Sequence, residues 1–264
     1  MSDRSVAAGF FTLGIAVFLS DGAAAQAATD WDIHREPRGR TVMAYAQYDS
    51  GLGIGFRCVD GAFGAVISGL PLARAERRNL MIRFDADHAH STGWTATTDR
   101  TVVVADLPAP LARQFRQGGP LRITVPGEAS NGADVVFEVD LPPSNQSIDQ
   151  VLTECGRPVV DPRDAILEAV SEDGGPGGGV IWARAPRPSF PRTQYAAGFV
   201  VTTCLTTPDG RLSDCLNEME HPPASRFGDA VLRASRDARV VSRQGVDSPI
   251  PVRRIAFRTR FATR

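Results

Sequence analysis

The sequence predicts an α+β chain. A β-rich unit of sandwich or barrel type with a closing helix comes first, and a small three-stranded antiparallel sheet with a helix packed on one face follows. Three observations lead there. Short runs rich in Val, Ile and Phe recur through the first half, separated by Gly, Pro, Asn and Asp. From Pro186 onward the pattern reads strand, turn, strand, helix, strand. The four cysteines divide evenly between the halves.

The N-terminus has the composition of a signal peptide. Arg4 gives a sparse positive start, and VAAGFFTLGIAVFLS is an apolar stretch of about fifteen residues, short for a spanning helix. Ala25-Gln26-Ala27 fits a small-residue cleavage site, so residues 1–27 read as an export signal and the mature protein as periplasmic. An uncleaved inner-membrane anchor is the competing reading. Basic and acidic residues number 29 and 30, and removing Asp3, Arg4 and Asp21 makes the signs equal. Lysine is absent and every basic residue is Arg. Such a balance gives no general attraction to nucleic acid or to an acidic membrane surface.

Residues 29–157 form the β-rich unit. TVMAYAQY, LGIGFRCV, GAVISGL, NLMIRFD, TVVVAD, LRITV and DVVFEVD are its expected strands. LPAPLARQFRQ reads as a helix ending before Gly118-Gly119. SNQSIDQVLTEC reads as a second, capped by Ser144 or Asn145, burying Ile148, Val151 and Leu152 and stopping at Gly156. Residues 158–185 read as a linker: a short helix capped by Asp161 with Pro162 in its first position, then the flexible hinge GGPGGG.

Four cysteines allow three pairings. A hairpin symmetric about Asp209-Gly210 with the loop Pro208 to Arg211 sets Cys204 opposite Cys215 on one face; a three-residue loop would separate them. The favoured pairing is therefore Cys204–Cys215 and, by elimination, Cys58–Cys155, which ties the closing helix to an early strand. Four reduced, buried thiols are the alternative, less suited to an oxidising compartment.

In residues 186–264 a helix from about Phe227 sets Phe227, Ala230, Val231, Ala234 and Ala238 on one face and Arg226, Arg233, Arg236 and Arg239 on the other. The final strand alternates likewise. Ile255, Phe257, Thr259 and Phe261 share one face; Arg254, Arg258 and Arg260 share the other.

Pro188-Ser189-Phe190-Pro191, then Gly198-Phe199-Val200 opening a strand, then the turn Gly210, then Phe227-Gly228 and Ala230 on the helix, then Gly245, Pro251-Val252 and Phe257, form an ordered set. It resembles the C-terminal domain of the TonB family. Six residues between Pro191 and Gly198 are too few for that family's first helix, and the family's Pro-rich spacer is missing. The resemblance implies a non-enzymatic module that adds an extended peptide of an envelope or outer-membrane transport partner as a further strand. The receiving edge would be the last strand, through Arg254, Ile255, Phe257, Arg258 and Arg260, with its arginines favouring acidic partners. A structural envelope protein, with those arginines guarding the edge against aggregation, is the alternative. The first unit is loosely similar to exported domains of the invasion-associated locus B type, and no function is carried from that likeness.

No cofactor is expected. Asp85-Ala86-Asp87-His88-Ala89-His90 is the one metal-like cluster, with His88 and His90 on one face of an extended segment just before the turn-like Ser91-Thr92-Gly93. GLGIGF runs into a strand rather than a helix, and no G-x-S-x-G occurs, so neither a dinucleotide loop nor a serine nucleophile is indicated.

Overall fold

A computed structural model describes residues 30–36, 40–129, 131–245 and 248–263. The expected export signal, residues 1–27, lies outside the described residues. Among those residues no helix is long and apolar enough to cross a membrane.

The first half builds one nine-stranded antiparallel sheet. In chain order its strands are β1 (Asp32–Arg35), β2 (Thr41–Gln47), β3 (Gly53–Val59), β4 (Ala62–Ser68), β5 (Arg77–Phe84), β6 (His90–Ala96), β7 (Val103–Ala105), β8 (Gly119–Val125) and β9 (Val135–Leu141). Their order across the sheet is β1-β2-β3-β4-β7-β6-β5-β8-β9, with no closure between the end strands. Helices α1 (Pro108–Phe115) and α2 (Gln146–Glu154) pack with the sheet's inner face, where Trp31, Phe56, Phe84 and Phe115 meet mostly edge to face. The Cys58–Cys155 disulfide ties the end of α2 to β3, as expected.

Sequence and structure part at β6. Ser91-Thr92-Gly93, read as turn-like, lies inside the strand HSTGWTA, whose alternate members serve the core: Trp94 is fully buried and donates through its indole N–H to Thr92. Gly93 is needed there, since a Cβ would stand 2.5 Å from the Asp106 carboxylate.

The second half forms a three-stranded antiparallel sheet, β12-β11-β14, from β11 (Ala197–Thr206), β12 (Leu212–His221) and β14 (Arg254–Ala262). Helix α3 (Phe227–Ser235) covers one face through Phe227, Ala230 and Val231, against Val200, Cys204, Phe257 and Phe261. The helical pattern was expected to run further. It stops at Ser235, and Arg239–Ser242 becomes β13, paired with β10 (Val180–Arg184). Residues 185–196 contain no helix, in keeping with the short spacing before Gly198.

The hairpin register differs in an instructive way. Thr206 pairs with Leu212, so the loop has one residue more than expected and would by itself set Cys204 against Asp214. A bulge restores the register: Asp214 takes a positive φ of 45°, and Thr203 then pairs with Leu216. Cys215 is thereby returned to Cys204's face, and the two are bonded with a Cα separation of 4.0 Å.

The linker is not free. Asp161 caps a short 3-10 helix, Pro162–Ile166, accepting from the Arg163 N–H. The glycine run expected to hinge is held at both ends: Arg258 N–H donates to Gly174 O, and Arg243 N–H donates to Gly179 O, each at 2.8 Å. Close packing explains the glycines better than flexibility does. A Cβ on Gly177 would stand 2.6 Å from Ala169 O.

Candidate functional site

The strand β14 is an edge of its sheet, with α3 covering one of its faces and the nine-stranded sheet the other. On the α3 side Ile255 and Phe257 are buried, Phe257 meeting Trp182 edge to face at 5.1 Å. They form part of the core and are not available as contact residues.

The opposite face carries the arginines, and it is not solvent. Phe199, Val201 and Met219 pack there against Val104, Val66, Leu107 and Val170, joining the two halves. Arg258 enters this layer with its side chain 2% exposed. It donates to Thr95 Oγ1 at 2.6 Å and to Asp106 Oδ1 at 3.1 Å, and its guanidinium lies 3.5 Å above the Phe199 ring. Burial, opposed by Asp106, lowers its pKa to about 10. Asp106 also accepts from Arg77 at 2.9 Å, so one buried carboxylate serves two arginines.

Arg254 is held as tightly. It pairs with Asp164 at 2.7 Å, with Asp161 at 3.4 Å and with Glu218. Glu218 is in reach because β12 bulges a second time: Thr202 pairs with Asn217 and Val201 with Met219, so Glu218 and Met219 both serve the interface face. The Asp161 carboxyl is brought down to about 2, chiefly by the hydrogen bond from Arg163, with Arg254 adding to it.

The expected set therefore divides. The acidic counterparts of Arg254 and Arg258 are the chain's own, and Arg260 alone of the three projects outward, its side chain 62% exposed and 3.5 Å from Glu76. Asp161 was read from sequence only as a helix cap, and Asp106, Asp164 and Glu218 were not singled out, since isolated carboxylates scattered over more than a hundred residues give no local pattern.

The backbone of β14 is partly taken as well. Its even-numbered residues turn their N–H and C=O to the outer edge. Residues 167–174 run along that edge: Leu167 bridges Arg254 in parallel, Glu168 N–H donates to Arg254 O, and Arg258 N–H donates to Gly174 O, both at 2.8 Å. Among the described residues no backbone group bonds the outer N–H and C=O of Arg260. Beside it a groove of about 450 Å³ is lined by Glu76, Thr95, Gly198, His221, Arg260 and Phe261.

His88 is exposed, whereas His90 lies against the Phe84 ring. Among the described residues no three His, Cys, Asp or Glu side chains converge as a metal cluster.

No protein-family model matches the chain. No curated protein matches it. Among solved structures it is similar to the C-terminal domain of Pseudomonas aeruginosa TonB, determined in solution by NMR, with 24% identity, 32% of this chain and 87% of that chain covered, and a TM-score of 0.27.

Proposed function

We propose that the chain is a non-enzymatic, exported envelope protein whose C-terminal sheet takes up an extended peptide segment of an envelope or outer-membrane partner along β14. One observation carries this reading. The outer edge of β14 already exchanges main-chain hydrogen bonds with the chain's own residues 167–174, at Arg254 and Arg258, with a parallel bridge at Leu167. An edge that pairs with the chain's own backbone has the geometry to pair with another's. The open N–H and C=O of Arg260 give a partner its first foothold, and progress toward Arg254 displaces the internal segment. Because Arg254 and Arg258 are consumed inside the molecule, acidic side chains are not required of the partner.

The test is an amide NMR titration of the oxidised chain with extended peptides from outer-membrane transporter N-termini. Shifts are expected at Arg260 and Phe261 first, then together along Arg254–Arg258 and Glu168–Gly174. A folded chain whose β14 amides do not move would sink the proposal.

A second reading is favoured by the buried arginine network. Arg258 joins the halves through Asp106, while Arg254 ties β14 to Asp161 and Asp164 of the linker and to Glu218 of its own sheet, an arrangement suited to a rigid structural envelope protein whose edge is permanently sealed. In that case the Glu168 and Arg258 amides exchange with solvent only on global unfolding.

A further inference from the structure

The joint between the halves holds a half-buried base among its arginines. β12 ends at His221, directly across from Phe199, and strand alternation sets both side chains on the face that carries Val201 and Met219. The imidazole lies against the Phe199 ring with ring centres 5.6 Å apart, and the Arg258 guanidinium covers that same ring at 3.5 Å. From the large sheet comes Arg57 of β3, its side chain laid across Gly64 of β4, the strand that packs on β12. A proton acceptor is thus set between two cations.

The carboxylates nearby are engaged elsewhere. Glu76 and Arg260 line the same groove as His221, but Glu76 is shared by Arg258 at 3.4 Å and Arg260 at 3.5 Å. Asp106 is held by Arg77 and Arg258. On His221's own strand Glu220 turns to the other face, where it accepts from Ser225, Asn217 and the Gly228 N–H. Helix α1 also meets β12, and its Arg113 is bonded to Asp164; β4 carries no charged residue. Among the described residues no carboxylate pairs with Arg57, whose pKa is lowered by burial. Burial, then the charges of Arg57 and Arg258, holds the His221 imidazole below its ordinary value of 6.5. A base depressed in this way supports the fold while neutral, above pH 6.5, and that support is lost as pH falls through its folded value.

We propose that His221 makes the joint between the halves acid-labile. Protonation adds a third cation to Arg57 and Arg258 in a half-buried layer, and the face carrying Phe199, Val201 and Met219 parts from Val66 and Val104 while each sheet stays folded. The device is separate from peptide uptake on β14 and operates whichever way that edge is used.

Methionine provides the local readout, because Met219 lies in the joint whereas Met43 and Met81 belong to the large sheet. In the oxidised full chain, isotope-labelled methionine methyls and the His221 ring signal are followed by NMR from about pH 7.5 to about 5, the range in which histidine titrates. Met219 and His221 are expected to change with one midpoint below 6.5 while Met43 and Met81 hold still, and the urea midpoint falls over the same range. His221→Phe keeps a ring on Phe199 without a proton site and abolishes the Met219 change. Arg57→Met raises the His221 midpoint and shrinks the loss in urea midpoint, and it decides the matter should His221→Phe lose the wild-type thermal transition. A Met219 signal that stays put while His221 titrates overturns the proposal, as does a Met219 change that survives His221→Phe. A His221 midpoint at or above 6.5, or Met43 and Met81 moving together with Met219, overturns it equally.

Discussion

Arg258 shows how much one side chain does for the joint between the halves. Its guanidinium is surrounded by Asp106, Thr95, Glu76 and the Phe199 ring, and its removal leaves Asp106 with Arg77 alone in a buried layer. Breaking a buried pair from one side costs more than the pair contributes, because the remaining charge is stranded. Arg258→Ala is expected to lower the unfolding free energy by about 3–5 kcal/mol in urea titration, and the double variant with Asp106→Asn to recover part of that. Asp161 supplies a pH signature. Its folded pKa of about 2 lies below the ordinary aspartate value of 3.8, so the charged form is favoured by folding. The resulting stability is fully present above about pH 4 and is lost as pH falls toward about 2, with a magnitude on the order of 2 kcal/mol. Asp161→Asn should flatten that limb of the stability profile measured from pH 5 to 2; an unchanged slope would assign the acid sensitivity elsewhere.

At the scale of elements, the motif glycines turn out to have packing reasons. Gly198 opens β11 with the Phe227 ring and His221 O where its Cβ would be, at 2.5 and 2.3 Å. Gly198→Ala must push α3 off the sheet, and a Tm loss corresponding to about 1–3 kcal/mol is expected from differential scanning calorimetry. These contacts also explain what could be read from sequence. Alternation in β14, the three- and four-residue spacing of α3 and the turn at Gly210 are local signals, and each placed its element. Both cysteine pairs were legible too, although the Cys204 register was reached through a shorter loop than the real one, and the bulge at Asp214 made up the difference. β6 was missed because HSTGWTA is a polar run, although its partners β5 and β7 are its neighbours along the chain. β10 and β13 were missed because VIWAR and RVVS are short segments whose strand character comes from each other, far apart in sequence. The ion network was illegible for the same reason: Arg254 meets Asp161, Asp164 and Glu218 only after folding, and Glu218 only by way of a bulge.

At the scale of the whole molecule, the segment between the halves decides whether β14 is a docking edge or a sealed one. Residues 167–174 are pinned by two main-chain bonds, by Val170 in the interface cluster and by Arg77 on the Ser171 and Glu172 carbonyls. A partner competing for β14 binds with an affinity reduced by the fraction of molecules in which this segment is in place. Loosening it therefore separates the two functional readings. Gly177→Ala sets a Cβ 2.6 Å from Ala169 O, inside the segment's own turn and away from β14. Hydrogen exchange at the Glu168 and Arg258 amides should accelerate in that variant while the core strands β3 and β11 keep their protection. If the edge is a docking strand, peptide affinity rises in step with that acceleration. Faster exchange with no gain in peptide binding would mean that the segment closes the sheet for structural reasons alone.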